Sequence, residues 1–494
     1  MSVLIRGGRV ITAADDYVGD LYVEDGVIAL IGRSLDVPAD RVVEAGGRYV
    51  LPGLVDPHTH LDMPFGGTVT ADDFESGHRA AAAGGTTCHV DFVIQSKGAS
   101  FGEALAAWHA KREGRALIDN GFHMAVTDLK EGGSLEELAS LPDEGVTSYK
   151  LFMAYKGALM VDDETLFRTM EVAAETGALV MVHAENGDAI DVLVRNALAE
   201  GKTEPRWHAL TRPPETEGEA TNRAIQLARV AGCPLYVVHV SCREAVEPIA
   251  LAREKGWDVH AETCTQYFFV DFTYLERPDF EGAKYVYTPP PRDRANQDVL
   301  WNAVRTDTLS VISTDHCAFR WEGQKTIGRD DFSKIPNGAP GLENRLHMIH
   351  HFGAREGRIT LNRMVELLST NPAKLFGLYP RKGTIAVGSD ADLVVFDPER
   401  RHVITAAAQQ SRSDYNLYEG TEVVGSPELV LLRGQVIFED GEVVAEPGTG
   451  QFVRRARFGE ELPAAVSALG APRRRRSTTG VSATEALADD RASR

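Results

Sequence analysis

Cysteine is scarce and unpaired in this sequence: five residues among 494, Cys88, Cys233, Cys242, Cys264 and Cys317, with no CxxC spacing. An odd count at irregular intervals excludes a disulfide framework and predicts reduced thiols in the cytoplasm. Long apolar runs are also missing. None approaches the ~18 residues of a membrane span, and MSVLIRGGRVITAADD lacks the basic and apolar regions of a secretory leader. Positive charge is in deficit, with 52 Lys and Arg against 72 Asp and Glu, a formal net charge of −20. Nucleic acid and anionic membranes would be repelled by such a surface, so neither is an expected partner. A small, neutral partner fits better.

What is present is ample material for a large core, since 43% of residues are apolar. The first fifty residues alternate β-type runs with GG and DG turns, as in VLIRGGRVIT and DLYVEDGVIALIG. The same texture returns in GTIAVGSDADLVVFDP and ELVLLRGQVIFEDGEVVA. Residues 1–50 and 380–455 are therefore expected to form one small β-sandwich domain from both chain ends. Between them, short apolar runs (GLVDPHTH, TTCHVDFV, HMAVTD, VTSYKLFM, ALVMVHAE, LYVVHVS, WDVHAETCTQYF, LSVISTDH) alternate with helical stretches such as DETLFRTMEVAAETG. That rhythm is the mark of parallel βαβ units buried on both faces. The expected fold class is α/β, a (β/α)₈ TIM-like barrel over residues 51–379. Residues 456–494, with the run Arg473 to Arg476, lack periodicity and are expected to form a flexible tail.

In such a barrel the chemistry sits where strands end at the C-terminal face. His58 and His60 follow GLVDP, Lys150 follows VTSY, His183 follows LVMV, His239 follows LYVV, and Asp315 follows SVIST. Imidazole and carboxylate are ligands for Zn²⁺ and related ions, and the two-residue strand period puts both side chains of HxH on one face. A lone strand histidine is more often a hydrogen-bonded core residue. Four of them with Asp315, all at strand ends, point to a metal site. Lys150 is the odd member, because an ammonium has no acceptor with which to ligate a metal. Two readings stand side by side: pairing with a carboxylate such as Asp315, or carboxylation by CO₂ to a carbamate that bridges two metals.

The stretch LPGLVDPHTHLDMPFGGTVTADDFESGHRAAAAGGTT resembles the first metal-binding segment of the amidohydrolase superfamily, specifically its hydantoinase/dihydropyrimidinase branch. The resemblance runs on through SYKLFMAYKG, MVHAEN, VVHVS, HAETCTQY, YTPPPR, STDHCAF, IPNGAPGLENR and GSDADLVVFDP, nearly the whole chain. It implies two Zn²⁺ ions, the first held by His58, His60 and Asp315, the second by His183 and His239. Carboxylated Lys150 (N6-carboxylysine) and a hydroxide would bridge them. Tyr155 would donate to the oxyanion, and Thr288 and Asn337 would bind the cyclic amide–imide edge through main-chain atoms. The family commonly has Ser at the position of Thr288 and Leu or Ile at that of Pro291; a main-chain contact tolerates the first change. Phe65 and Phe152, with Met63 and Leu151, are candidates for the ring substituent.

The implied reaction is hydrolytic opening of 5-substituted hydantoins or 5,6-dihydropyrimidines to N-carbamoyl amino acids. Asp315 would serve first as base and then as acid. Alternatives within the superfamily are an allantoinase, a mononuclear deaminase lacking the bridging lysine, and a non-catalytic dihydropyrimidinase-like scaffold lacking the ligands. The resemblance also implies a homotetramer, which no residue pattern here establishes.

Overall fold

The computed structural model describes residues 1–463. At its centre eight parallel strands follow one another in a single sheet: β1 (Leu54–Thr59), β2 (Thr86–Ile94), β3 (Asp119–Ala125), β4 (Ser148–Phe152), β5 (Leu179–His183), β6 (Leu235–Val237), β7 (Val259–Cys264) and β8 (Val311–Ser313). The first and last strands meet through a Thr59–His316 bridge and a 2.8 Å hydrogen bond from the His60 N–H to the His316 carbonyl. The expected barrel is thus observed. Its strands are buried on both faces because helices cover the outside, which is why they read as continuous apolar runs.

One of these helices, Asp163–Thr176, shows how local sequence sets the limits. The Asp162 carboxylate accepts from the Thr165 N–H at 2.8 Å, and Gly177 ends the helix at φ +71°. Alternation along the strands then decides what faces inward. In β4, Ser148 meets the interior His123, whereas the Tyr149 hydroxyl donates to Leu138 O in the surrounding helical layer. Lys150 and Phe152 share the inward face. Leu151 does not line the central cavity as expected: the two-residue period turns it outward into the layer between barrel and helices.

Both chain ends join in one nine-stranded sheet. The strand Ser2–Ile11 pairs antiparallel with Asp16–Glu24 and bends at a bulge between Ile5 and Gly8. Its other edge runs parallel first to Arg41–Glu44 and then to Tyr49–Pro52. Tyr49–Pro52 in turn pairs antiparallel with Leu393–Val403, which ties the N-terminal half to the C-terminal one. Val3, Ile5, Leu21, Leu393 and Leu431 are among the buried residues of the sheet's own core.

Beyond this sheet the chain returns to the N-terminal end of the barrel. Asn120 donates to Gln451 O and accepts from Val453 N–H, and Phe458 N–H and Leu462 N–H are bonded to Gly177 O and Tyr379 O at 2.8 Å each. Arg455 enters the barrel floor, donating to Ser148 Oγ at 2.8 Å and to the Phe122 carbonyl. The chain is therefore held as far as Leu462. The rest of the expected tail, with Arg473 to Arg476, lies outside the described residues.

Candidate active site

A cavity opens at the C-terminal ends of the barrel strands. His58, His60, Lys150, His183, His239, Asp315, Tyr155, Thr288, Asn337, Phe65 and Phe152, all expected from the sequence to act together, line it, with Met63, Leu159, Cys317 and Gly338. Pro291 does not.

Three of these residues sit where the backbone leaves its strand in a left-handed turn: His239 at φ +41°, Asp315 at +50° and Tyr155 at +67°. That region is uncommon for residues other than glycine and costs about 1–3 kcal/mol each. Here it turns side chains sharply across the barrel mouth.

His58 Nε2 and His60 Nε2 each lie 3.2 Å from the same atom, Asp315 Oδ1. These three residues form a group whose ligand atoms lie within 4.8 Å of one another and could hold a metal ion. Across the cavity His183 Nδ1 and His239 Nε2 face each other at 2.9 Å. Lys150 lines the same cavity. Its Nζ is buried with no hydrogen-bond partner among the described residues and lies 5.1 Å from the Phe92 ring and 5.2 Å from the Phe152 ring. Pairing with Asp315, one of the two readings open from sequence, is not what the structure contains.

The electrostatics follow from burial and charge. Burial pulls the Lys150 amine down to about 7, so much of it is uncharged near neutrality. Burial likewise lowers His60 to about 4 and His239 well below its ordinary value, leaving neutral imidazoles with free lone pairs. His58 is the exception. Burial lowers it, but Glu262 and Asp315 outweigh that and hold it at about 9. Burial would raise Asp315, yet His58 and His60 keep it a carboxylate, well below the usual range. Burial pushes the Tyr155 phenol up, so it remains a proton donor.

Two buried glutamates complete the site and were not singled out from sequence. Glu262, in β7, contacts His58 Nδ1, accepts from Tyr236 OH at 2.9 Å and lies 3.3 Å from His239 N–H. One carboxylate thereby orients a histidine of the first cluster and the backbone of the second. Glu185 Oε2 lies 2.9 Å from His183 Nε2. Each stands two residues beyond a histidine on a buried strand, in HAE, and that repeated pattern was the available signal.

The comparisons with known proteins agree with this geometry. Residues 49–437 match the model of the amidohydrolase family. The chain is 54% identical over 460 residues to a D-hydantoinase of Geobacillus stearothermophilus, covering 93% of this chain and 98% of the relative. It is 50% identical to a D-hydantoinase of Rhizobium radiobacter, covering 93% and 100%. The crystal structure of a dihydropyrimidinase from Brevibacillus agri superposes with a TM-score of 0.92 at 53% identity, covering 93% of this chain and all of that one. With fold, cavity and full-length relatives in agreement, this chain belongs to the amidohydrolase family, in the branch of the hydantoinases and dihydropyrimidinases.

Proposed function

We propose that the chain hydrolytically opens cyclic amides, 5-substituted hydantoins and 5,6-dihydropyrimidines, to N-carbamoyl amino acids. The observation that carries this reading is the buried Lys150 amine, without a hydrogen-bond partner among the described residues, in one cavity with two pairs of histidines at the mouth of a barrel. The donor set fits two Zn²⁺ ions. His58, His60 and Asp315 would hold one, and His183 and His239 the other. Lys150 would join both once its neutral amine has added to CO₂, forming an N–C bond and releasing a proton to leave an anionic carbamate. When bound, the metals lower the pKa of water and polarise a ring carbonyl.

The chain's own residues do the rest. Asp315, held as a carboxylate, takes the proton of the attacking water. It then delivers that proton to the ring nitrogen, which would otherwise depart as an amide anion. Tyr155, held protonated, donates to the carbonyl oxygen as negative charge develops there. Main-chain groups of Thr288 and Asn337 grip the amide–imide edge, and Phe65, Phe152 and Met63 offer apolar surface to a ring substituent. A reducing, cytoplasmic setting suits the five buried free cysteines. Among the described residues no helix is long and apolar enough to cross a membrane. Assembly as a homotetramer belongs to the same reading and rests on the family resemblance.

The test is a substrate panel on zinc-loaded protein, with dihydrouracil, phenylhydantoin and allantoin compared on one preparation. The expected result is N-carbamoyl product from the first two and little turnover of allantoin. Preference for allantoin, or no ring opening at all, overturns the reading.

A further inference from the structure

Lys325 lies outside the cavity lining and is wholly buried, yet among the described residues it has no carboxylate partner. Its ammonium donates instead to three main-chain carbonyls: Val286 at 2.7 Å, Pro336 at 2.7 Å and Gly338 at 2.6 Å. Burial pulls this amine down to about 7, and its three acceptors match the three hydrogens of the protonated form. Such charge-assisted bonds are about twice as strong as neutral ones, so this cluster is a strong local constraint. It joins the two loops that bring Thr288 and Asn337 to the cavity, and a bond from Gly338 N–H to Val286 O at 3.1 Å adds a fourth tie. Gly338 itself has φ +142°, and a Cβ there would stand 2.3 Å from Cys317 O. The strap carrying Asn337 thus has no room to shift toward β8.

Planar peptides convert this clamp into an orientation for Asn337. In a trans peptide the C=O and the following N–H point in opposite directions. The Pro336 carbonyl points at Lys325, so the Asn337 N–H points away from it. The Gly338 N–H points at Val286 O, on the same side, so the Asn337 carbonyl also points away. One donor and one acceptor of the same residue are thereby turned together from the clamp. The N–H has no hydrogen-bond partner among the described residues, and the carbonyl meets only the Cys317 thiol, at 3.7 Å. A paired donor and acceptor complements the N–H and C=O of a cyclic amide edge.

We infer that Lys325 is the positioning residue for substrate recognition, fixing the Asn337 main chain as a ready-made amide receptor. This rests on the proposed reading that Asn337 contacts the substrate through its backbone. Lys325 is neither a cavity-lining residue nor a candidate metal ligand, so its loss should weaken binding of substrate and transition state alike, raising KM with kcat preserved.

The experiment compares Lys325→Met, Lys325→Gln and Asn337→Pro with the wild-type enzyme, all zinc-loaded, on phenylhydantoin and dihydrouracil. Lys325→Met keeps most of the unbranched stem but removes all three donors, and KM is expected to rise about tenfold or more with kcat within about threefold and metal content unchanged. Lys325→Gln keeps an amide donor and should fall between; it decides the matter if the Met variant does not fold. Wild-type KM in both Lys325 variants overturns the inference, as does a raised KM accompanied by lost metal or a collapse of kcat. Asn337→Pro removes the main-chain N–H and tests the underlying reading separately. If it leaves KM unchanged, the backbone contact is wrong. If it raises KM while the Lys325 variants do not, the contact stands and the positioning role fails.

Discussion

Asp315 combines two demands on one carboxylate. Oδ1 lies within 3.2 Å of both His58 and His60, which places it among the candidate ligands, while the proposed reaction asks the same side chain to carry a proton. Asp315→Asn separates these demands, because an amide oxygen can still reach a metal but the group cannot accept and return a proton. The expected outcome is a variant that retains at least part of its metal and loses about 10²–10⁴-fold in kcat, the usual share of general acid–base catalysis. A wild-type rate would remove Asp315 from the mechanism. The strand-end residues were legible because each is a polar side chain closing an apolar run. Glu262, marked only by its HAE repeat, and Lys325 were not singled out, although both lie wholly within the protein. Their roles come from partners far away in sequence, His58 across 204 positions and Val286 across 39. No local pattern marks such a partner before the fold brings it near.

At the scale of elements, strand ends and the returning C-terminal segment do different work. Left-handed turns at His239, Asp315 and Tyr155 aim side chains into the cavity, and hydrophobic periodicity alone does not predict them. The eight strands were legible as a class, since parallel strands buried on both faces need continuous apolar runs. The inward or outward sense of each residue was less so, and Leu151 is the case in point: its placement follows from which neighbour, Lys150, faces the interior. The segment after residue 445 has no periodicity to read because its hydrogen bonds go to scattered barrel carbonyls and amides and not to a sheet edge. Gly377 is one of its anchor points. It has φ +66°, and a Cβ there would lie 2.0 Å from Ala456 O. Gly377→Ala should therefore lower stability by about 1–3 kcal/mol, read as a reduced urea midpoint, without changing kcat of the folded enzyme. An unchanged midpoint would show that the segment yields freely and is not a fixed floor.

In the whole molecule, a barrel brings residues from positions 58 to 315 to one rim, and a sheet built from both chain ends packs beside it. The apolar floor of the site is part of that design: Phe92 lies 4.8 and 4.9 Å from the His58 and His60 rings and beneath the Lys150 amine. It withdraws water from below, which keeps most imidazoles neutral and the amine partly so. Mostly neutral imidazoles, the Asp315 carboxylate and one buried amine make a donor set suited to cations, and that requirement is the centre of the account. The most direct measurement is a zinc titration of chelator-stripped protein, with bound metal counted per chain and phenylhydantoin turnover followed in the same samples. The account predicts no turnover without metal and full turnover only when about two ions per chain are bound. Full turnover in the stripped protein, or saturation at a single ion, would contradict it.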